Sequence, residues 1–244
     1  MTNFLTAPGV EYAWRTDIGR VRSRNEDSVA VDAGSGLLVV ADGMGGHNAG
    51  DVASRMAIEG VIGAMQGSTG EADERLVAAV RQANQAIYDA AGEDYERSGM
   101  GTTVVAVWLR PTRLVVAHVG DSRLYRLRDG VIESLTRDHS QVQDLVDRGI
   151  LTPAQARAST RKNFLSRALG TDPDVVIDSA VHTPAAGDVY LLCSDGLTNM
   201  VEDEEIVAII RSSTSLAAAT ELLVAQANEY GGRDNISVAL ARLG

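Results

Sequence analysis

Apolar residues follow two rhythms along this chain. Leu37-Leu-Val-Val-Ala41, Leu114-Val-Val-Ala-His-Val119 and Val189-Tyr-Leu-Leu-Cys193 are short, nearly unbroken runs that each lead into Gly or Asp within a few residues. Runs of that length predict buried strands. Residues 11–41 read as short strands joined by turns, ending in the first run. Thr102 to Leu109, Leu114 to Val119 and Leu124 to Leu127 predict successive strands, the last entering a hairpin at Asp129-Gly130. Val189 to Cys193 and Ile236 to Leu240 add two more. A helical period takes over elsewhere. Val52, Ala53, Met56, Ala57, Val61, Ala64 and Met65 form one stripe, and Leu76, Val80, Ala83, Ile87 and Ala90 form a second. Two long helices therefore follow each other, with further helices near 203–211 and 215–230.

Strands and helices come in runs rather than in strict alternation, the pattern of α+β layers with a largely antiparallel sheet. Residues 139–165 interrupt it. Two short helical pieces flank Gly149-Ile-Leu-Thr-Pro153, with Thr152 placed to cap a helix whose first residue is Pro153. On composition this segment is either a mobile flap or a plain surface insertion.

At 244 residues and 45% hydrophobic, the chain suits one large domain, residues 1–244, with a small insert. It has no apolar run of about 18 residues, so no membrane span is expected. The N-terminal residues lack the basic start and long apolar core of a signal peptide. The single Cys193 excludes a disulfide framework and a thiolate zinc site and fits a reducing compartment, which points to the cytoplasm. Net charge is −11, from 33 acidic against 22 basic residues, opposite in sign to most nucleic-acid binders.

Four segments set an Asp beside a Gly or Asn, each next to an apolar run: Asp42-Gly43, Gly120-Asp121, Asp195-Gly196 and Asp234-Asn235. A buried strand ending in Asp-Gly brings a carboxylate to the rim of a sheet, where glycine lets backbone approach a ligand. Four such ends around one point would suit a hard divalent cation, which takes carboxylate, carbonyl and water oxygens. A metalloenzyme that cleaves phosphoesters is the expectation. Other phosphate chemistries fail on spacing. Gly45-x-x-x-x-Gly50 continues with Asp51 and Val52, so it is no P-loop, and Asn48 stands where a dinucleotide fingerprint needs glycine. Cys193 lacks an Arg six residues on, because position 199 is Asn, and its apolar run makes it an inert core thiol. Asp172-Pro-Asp174 lacks the preceding apolar strand of an aspartyl nucleophile. Arg22, Arg24, Asn25, Glu26 and Asp27 form a polar cluster in which Arg could fork onto phosphate and the acids could hold water around a metal. The four histidines show no zinc spacing.

Gly19-Arg-Val-Arg22-Ser-Arg-Asn-Glu-Asp27, Ala41-Asp-Gly-Met-Gly-Gly-His47, Gly99-Met-Gly-Thr-Thr103, Val119-Gly-Asp-Ser-Arg123, Cys193-Ser-Asp-Gly-Leu197 and Asp234-Asn235 stand in an order that closely resembles the metal-dependent, type 2C Ser/Thr protein phosphatases in their stand-alone bacterial form. The resemblance spans roughly residues 11–243. It implies a four-layer α-β-β-α sandwich of two antiparallel sheets, with residues 139–165 as a flap. It also implies two Mn²⁺ or Mg²⁺ ions bridged by Asp42, one completed by Asp195 and Asp234, the other by the Gly43 carbonyl and water. Glu26 and Asp27 would hold metal-bound waters, Arg22 would take the substrate phosphate, and Asp121 with Asp195 would hold a third, weaker ion. Met44 stands where eukaryotic relatives carry a histidine held to be the general acid, which leaves His47 as the candidate proton donor. Ser159-Thr160 replaces the His-Pro pair usual near the end of the flap. Implied substrates are phosphoserine and phosphothreonine in proteins, and the implied partner is a cognate bacterial Ser/Thr kinase. An anti-sigma-factor antagonist in a stress circuit is an alternative substrate, and a monomer is expected.

Overall fold

The computed structural model describes residues 2–7, 9–45, 49–67, 72–161 and 163–244. Along the chain lie β1 (Asn3–Ala7), β2 (Val10–Asp17), β3 (Asp27–Asp32), β4 (Leu37–Met44), α1 (Gly50–Gly67) and α2 (Ala72–Glu93). Next come β5 (Gly101–Thr102), β6 (Val104–Arg110), β7 (Arg113–Val119), β8 (Arg123–Arg128) and β9 (Val131–Ser134). The remainder holds α3 (Gln141–Asp147), α4 (Pro153–Arg157), β10 (Asp178–His182), β11 (Val189–Cys193), α5 (Asp195–Thr198), α6 (Asp203–Ser212), α7 (Leu216–Glu229) and β12 (Ile236–Leu243).

Two antiparallel sheets result. One runs β1-β2-β12-β11-β8-β9; the other runs β10-β7-β6-β4-β3, with β5 paired to β4. Side-chain alternation along β4 explains why its sequence is apolar without a break. Leu38 and Val40 face the other sheet, packing with Val105, Val107, Tyr190 and Leu192, whereas Leu37, Val39 and Ala41 pack under Ala53, Ala57, Val80 and Ala83 of α1 and α2. A strand covered on both faces has no polar side to show. β11 repeats the arrangement: Leu192 faces inward, and Leu191 and Cys193 pack with Leu197, Ile206 and Leu223 of α5, α6 and α7. The layers are therefore α-β-β-α, as the resemblance implied.

β1 and β10 go beyond the sequence expectation. Both are edge strands with much of their surface open; Phe4 is 68% and Val181 is 44% exposed. Strands so placed carry no continuous apolar run, which is why the pattern does not announce them.

The segment between β9 and β10 contains both helical pieces expected there. Thr152 caps α4 in a reciprocal box with Gln155, with Pro153 at the helix start, and Ser140 caps α3 by accepting from the Gln143 N–H. Helices of seven and five residues are too short to persist unaided, so these caps matter. The two ends of the segment are laced together: Gln141 N–H donates to the Phe164 carbonyl and Ser166 N–H to the His139 carbonyl, both at 2.9 Å.

Candidate active site

The four Asp-bearing segments converge. Asp42 lies near the end of β4, Asp121 in the turn from β7 to β8, Asp195 at the junction of β11 with α5, and Asp234 just before β12. Asp42 and Asp121 come from one sheet, Asp195 and Asp234 from the other. All four line one cavity of about 190 Å³ at the end of the sandwich, together with Arg22, Glu26, Gly43, Met44 and, from beyond α4, Asn163 and Leu165. Asp27 stands directly opposite Asp42 in the β3–β4 register and is only 7% exposed.

Backbone and hydroxyl contacts fix these positions. A Cβ on Gly43 would come within 2.1 Å of the Gly50 carbonyl oxygen and 2.6 Å of that of Glu26, so only glycine lets β4, α1 and the Glu26 loop meet here. Asp42 is held through its backbone: its N–H donates to Thr103 Oγ1 at 2.9 Å, and its carbonyl accepts from Thr103 N–H at 2.8 Å and Thr102 Oγ1 at 2.9 Å. The carboxylate is thereby left to the cavity. Thr103 Oγ1 also pairs with Ser122 Oγ at 2.7 Å, which joins the Asp42 strand to the Asp121 turn. Asn235 staples the far side. Its Oδ1 accepts from Glu26 N–H at 2.8 Å, and its Nδ2 donates to the carbonyls of Arg24 (2.8 Å) and Ile18 (3.0 Å). Asn199, one helical turn after Asp195, donates to Asp195 Oδ2 at 2.8 Å.

Sequence reasoning identified none of Thr103, Ser122, Asn199 or Asn235 as a support. Only the i, i+4 spacing of Asp195 and Asn199 on one turn carried a local signal; the others depend on which strands meet.

The electrostatics are those of carboxylates awaiting a cation. Burial pushes the Asp42 carboxyl well above the usual range, and the charges of Asp27, Asp195, Asp121 and Asp234 push it further. Asp121 is raised in the same sense by burial and by Asp195 and Asp138. Burial also raises Asp27, to about 7, against the hydrogen bond it accepts from Ser194. Asp27 Oδ2 accepts from Ser194 Oγ at 2.8 Å, while its Oδ1 is buried with no hydrogen-bond partner among the described residues. Such a group is costly unless an ion or water meets it. Arg22 is the one cation lining the cavity among the described residues, and its Nη2 donates to Asp234 Oδ2 at 2.8 Å from a half-exposed position. One guanidinium against this many acids leaves a large negative excess, in an all-oxygen donor set that suits Mg²⁺ or Mn²⁺. The residues present fit a divalent-metal centre.

His47 lies outside the described residues. Cys193 is fully buried in the core under α5–α7, and burial pushes its thiol up to about 12, as an inert core position requires. Asp172-Pro-Asp174 forms an exposed turn in which Asp172 Oδ1 accepts from Asp174 N–H, and no strand precedes it. Arg123 forks onto Asp138 at 2.8 and 2.7 Å and donates to Tyr125 Oη at 2.8 Å, all beside a second cavity of about 750 Å³. That cavity runs beneath α3 and α4 and shares Asp121 and Asp195 with the first.

Comparison with known proteins agrees with this geometry. The family profile described as Protein phosphatase 2C matches residues 16–240. The chain is 41% identical over 235 residues to the serine/threonine phosphatase stp of Listeria monocytogenes, covering 93% of each. Over 233 residues it is 41% identical to the serine/threonine protein phosphatase PstP of Mycobacterium tuberculosis, covering 95% of this chain and 45% of that one. The crystal structure of the Mycobacterium tuberculosis phosphatase superposes with a TM-score of 0.90 at 40% identity, covering 96% of this chain and 98% of that one. A PstP catalytic domain in complex with two manganese ions superposes with a TM-score of 0.88 at 40% identity, with the same coverage.

Proposed function

The chain belongs to the protein phosphatase 2C family and is a protein-serine/threonine phosphatase, and from that premise we propose that it hydrolyses phosphoserine and phosphothreonine in proteins at a binuclear Mn²⁺ or Mg²⁺ centre, opposing a bacterial Ser/Thr kinase. The observation that carries the metal site is the convergence of Asp42, Asp121, Asp195 and Asp234, from both sheets, on one cavity.

Asp42 would serve both ions, Asp195 and Asp234 would help hold one, and the Gly43 carbonyl with water would help hold the other. Glu26 and Asp27 would hold water around them, and Asp121 with Asp195 would hold a third, weaker ion. When bound, the two ions supply an activated water nucleophile and charge that stabilises the transferring phosphoryl group. Arg22 sits on the cavity wall, half-exposed and on a loop, from which its fork can leave Asp234 and take phosphate oxygens. Asn163 and Leu165 close the cavity on the flap side, where they can meet the residues around a phosphorylated side chain.

This reading treats residues 1–244 as a single catalytic unit with residues 139–165 as its flap. None of the described helices is long and apolar enough to cross a membrane. The lone buried thiol fits a reducing compartment, and each sheet is covered by the chain's own helices, which supports a cytoplasmic monomer. The test is release of phosphate from a phosphothreonine peptide. Activity is expected only with added Mn²⁺ or Mg²⁺, and full turnover by metal-stripped protein would contradict the reading.

A further inference from the structure

His139 lines neither cavity, yet it grips the turn that carries Asp121. Its backbone N–H donates to the Gly120 carbonyl at 2.9 Å, and the Gly120 N–H donates back to His139 Nδ1 at 3.1 Å. Both backbone polar groups of Gly120 are thus held by one residue. Gly120 has little freedom to answer otherwise: its φ is 104°, and a Cβ there would come within 2.6 Å of the Thr103 side chain. Thr103 bounds the turn on one side and His139 holds it on the other.

Accepting from Gly120 fixes the imidazole tautomer. With Nδ1 as the acceptor, Nε2 carries the proton and faces Asp178 Oδ2 at 3.2 Å. Asp178, on β10, also accepts from Arg167 Nη1 at 2.8 Å. The ring is 5% exposed and stacks on His118 at 4.7 Å between centroids. Burial, His118 and Arg167 all keep its pKa below the ordinary value, which favours the neutral ring this contact needs.

His118, His139 and Asp178 also bring ligand atoms within 4.8 Å of one another. A cation there would compete with the Arg167 guanidinium, which lies 2.8 Å from Asp178 Oδ1 and 3.3 Å from His139 Nε2 and already supplies the positive charge. The trio is an orienting network instead, in which a carboxylate fixes an imidazole that fixes its target.

We propose that His139 is a positioning residue for turnover: its Nδ1, oriented by Asp178, sets the Gly120 peptide and through it the Asp121 carboxylate. The inference rests on the role assigned above to Asp121. It also gives the start of the flap segment a direct mechanical link to the site, because His139 precedes the helix cap at Ser140 and its carbonyl accepts from Ser166 N–H.

Three variants separate the contacts. In His139→Asn the amide oxygen stands close to where Nδ1 stood and can accept from Gly120. In His139→Gln the amide reaches toward Asp178 instead. His139→Ala keeps neither contact. Expected on a phosphothreonine peptide is a kcat lower by about 10- to 100-fold for Ala and Gln, the scale of misplaced catalytic groups, with KM changed little and Asn recovering most of the loss. Rescue by Gln and not by Asn, or wild-type kcat in the Ala variant, overturns the proposal. An Asp121→Asn, His139→Ala cycle then tests the route. If His139 acts through Asp121, the double variant loses no more than Asp121→Asn alone; additive losses overturn the coupling. Full activity of Asp121→Asn by itself would instead remove the role of Asp121, a distinct failure. Nitrogen NMR of the metal-free wild type provides a readout independent of activity and of variant folding. A bare, accepting Nδ1 and a slowly exchanging Gly120 amide are expected, and a protonated Nδ1 overturns the assignment.

Discussion

Among the described residues, Asp188 on one side and the cluster of Asp27, Asp42, Asp121, Asp195 and Asp234 on the other are buried or half-buried carboxylates that the protein treats in opposite ways. Asp188, just ahead of β11, has no solvent exposure and is fully partnered. Arg128 forks onto it with two hydrogen bonds of 2.6 Å, Tyr190 Oη donates at 2.7 Å and Ala185 N–H at 2.9 Å. Burial alone would raise its pKa, but those donors hold it below the ordinary value. At the other end of β11, Asp195 joins Asp27, Asp42, Asp121 and Asp234, where burial and mutual repulsion push Asp27, Asp42 and Asp121 up. The first group is an internal ion pair that serves the fold. The second lacks the positive charge its acids need, and a folded chain retains such a deficit where an exogenous cation supplies it. Buried acids thus divide by whether their counter-charge is encoded in the chain.

The largest effect expected from this contrast is at Asp42. Asp42→Asn should lower phosphothreonine-peptide turnover by at least about 10³-fold, the scale of losing several kcal/mol of charge stabilisation. The same change should leave the metal-free protein at least as stable as wild type in thermal unfolding, because it removes a repelled charge. A variant that loses stability but keeps its activity would place Asp42 with Asp188.

Arg22 should come next. Arg22→Ala is expected to cost about 1.5–3 kcal/mol in kcat/KM on a phosphopeptide, the value of a charge-assisted contact, without lowering the number of metals bound. Unchanged kcat/KM would reduce Arg22 to a partner of Asp234.

Asp188→Asn supplies the reverse case. A loss of about 2 kcal/mol in unfolding free energy is expected, in line with broken hydrogen bonds to a charged group, while kcat per folded molecule stays at the wild-type level. A selective loss of kcat would erase the distinction between the two groups.

The smallest effect is in pH dependence. Asp27 folded and free of metal titrates at about 7, above its unfolded value, so the folded state binds the extra proton. Its contribution to stability is therefore present at acid pH and is lost as pH rises from about 4 through about 7. Asp188 has the opposite sign: its contribution stands above the unfolded carboxylate pKa and is lost as pH falls through its lowered folded value. Metal-free protein should melt on the order of a few degrees lower at pH 8 than at pH 6, and saturating Mn²⁺ should remove the difference. A melting profile that Mn²⁺ does not alter would argue against a cation at this site.

Much of this contrast was legible in the sequence, for a physical reason. Asp42 lies near the end of a strand buried on both faces, and Asp121 and Asp195 follow two others, so their apolar runs point to the rim and the adjoining Gly marks close backbone approach. The helical stripes and the Thr152 cap were equally visible, because periodicity and capping are local. What escaped was non-local or half-exposed. β1 and β10 are edge strands without an apolar face, and β10 supplies the Asp178 that orients His139. Thr103, Ser122 and Asn235 are small polar residues whose importance comes from the strands they meet. Nor does sequence show that Asp27 faces Asp42, because that pairing depends on the β3–β4 register.

The most direct test of the central claim, that the cleft carboxylates await divalent cations and Asp188 does not, is a calorimetric Mn²⁺ titration of metal-stripped wild type, Asp42→Asn and Asp188→Asn at pH 6.5 in two buffers of different ionisation enthalpy. Wild type and Asp188→Asn should each bind two ions tightly with release of protons, since raised carboxyls must ionise to take metal. Asp42→Asn should lose at least one of the two. Equal stoichiometry in Asp42→Asn and wild type, or tight binding without proton release, would contradict the account.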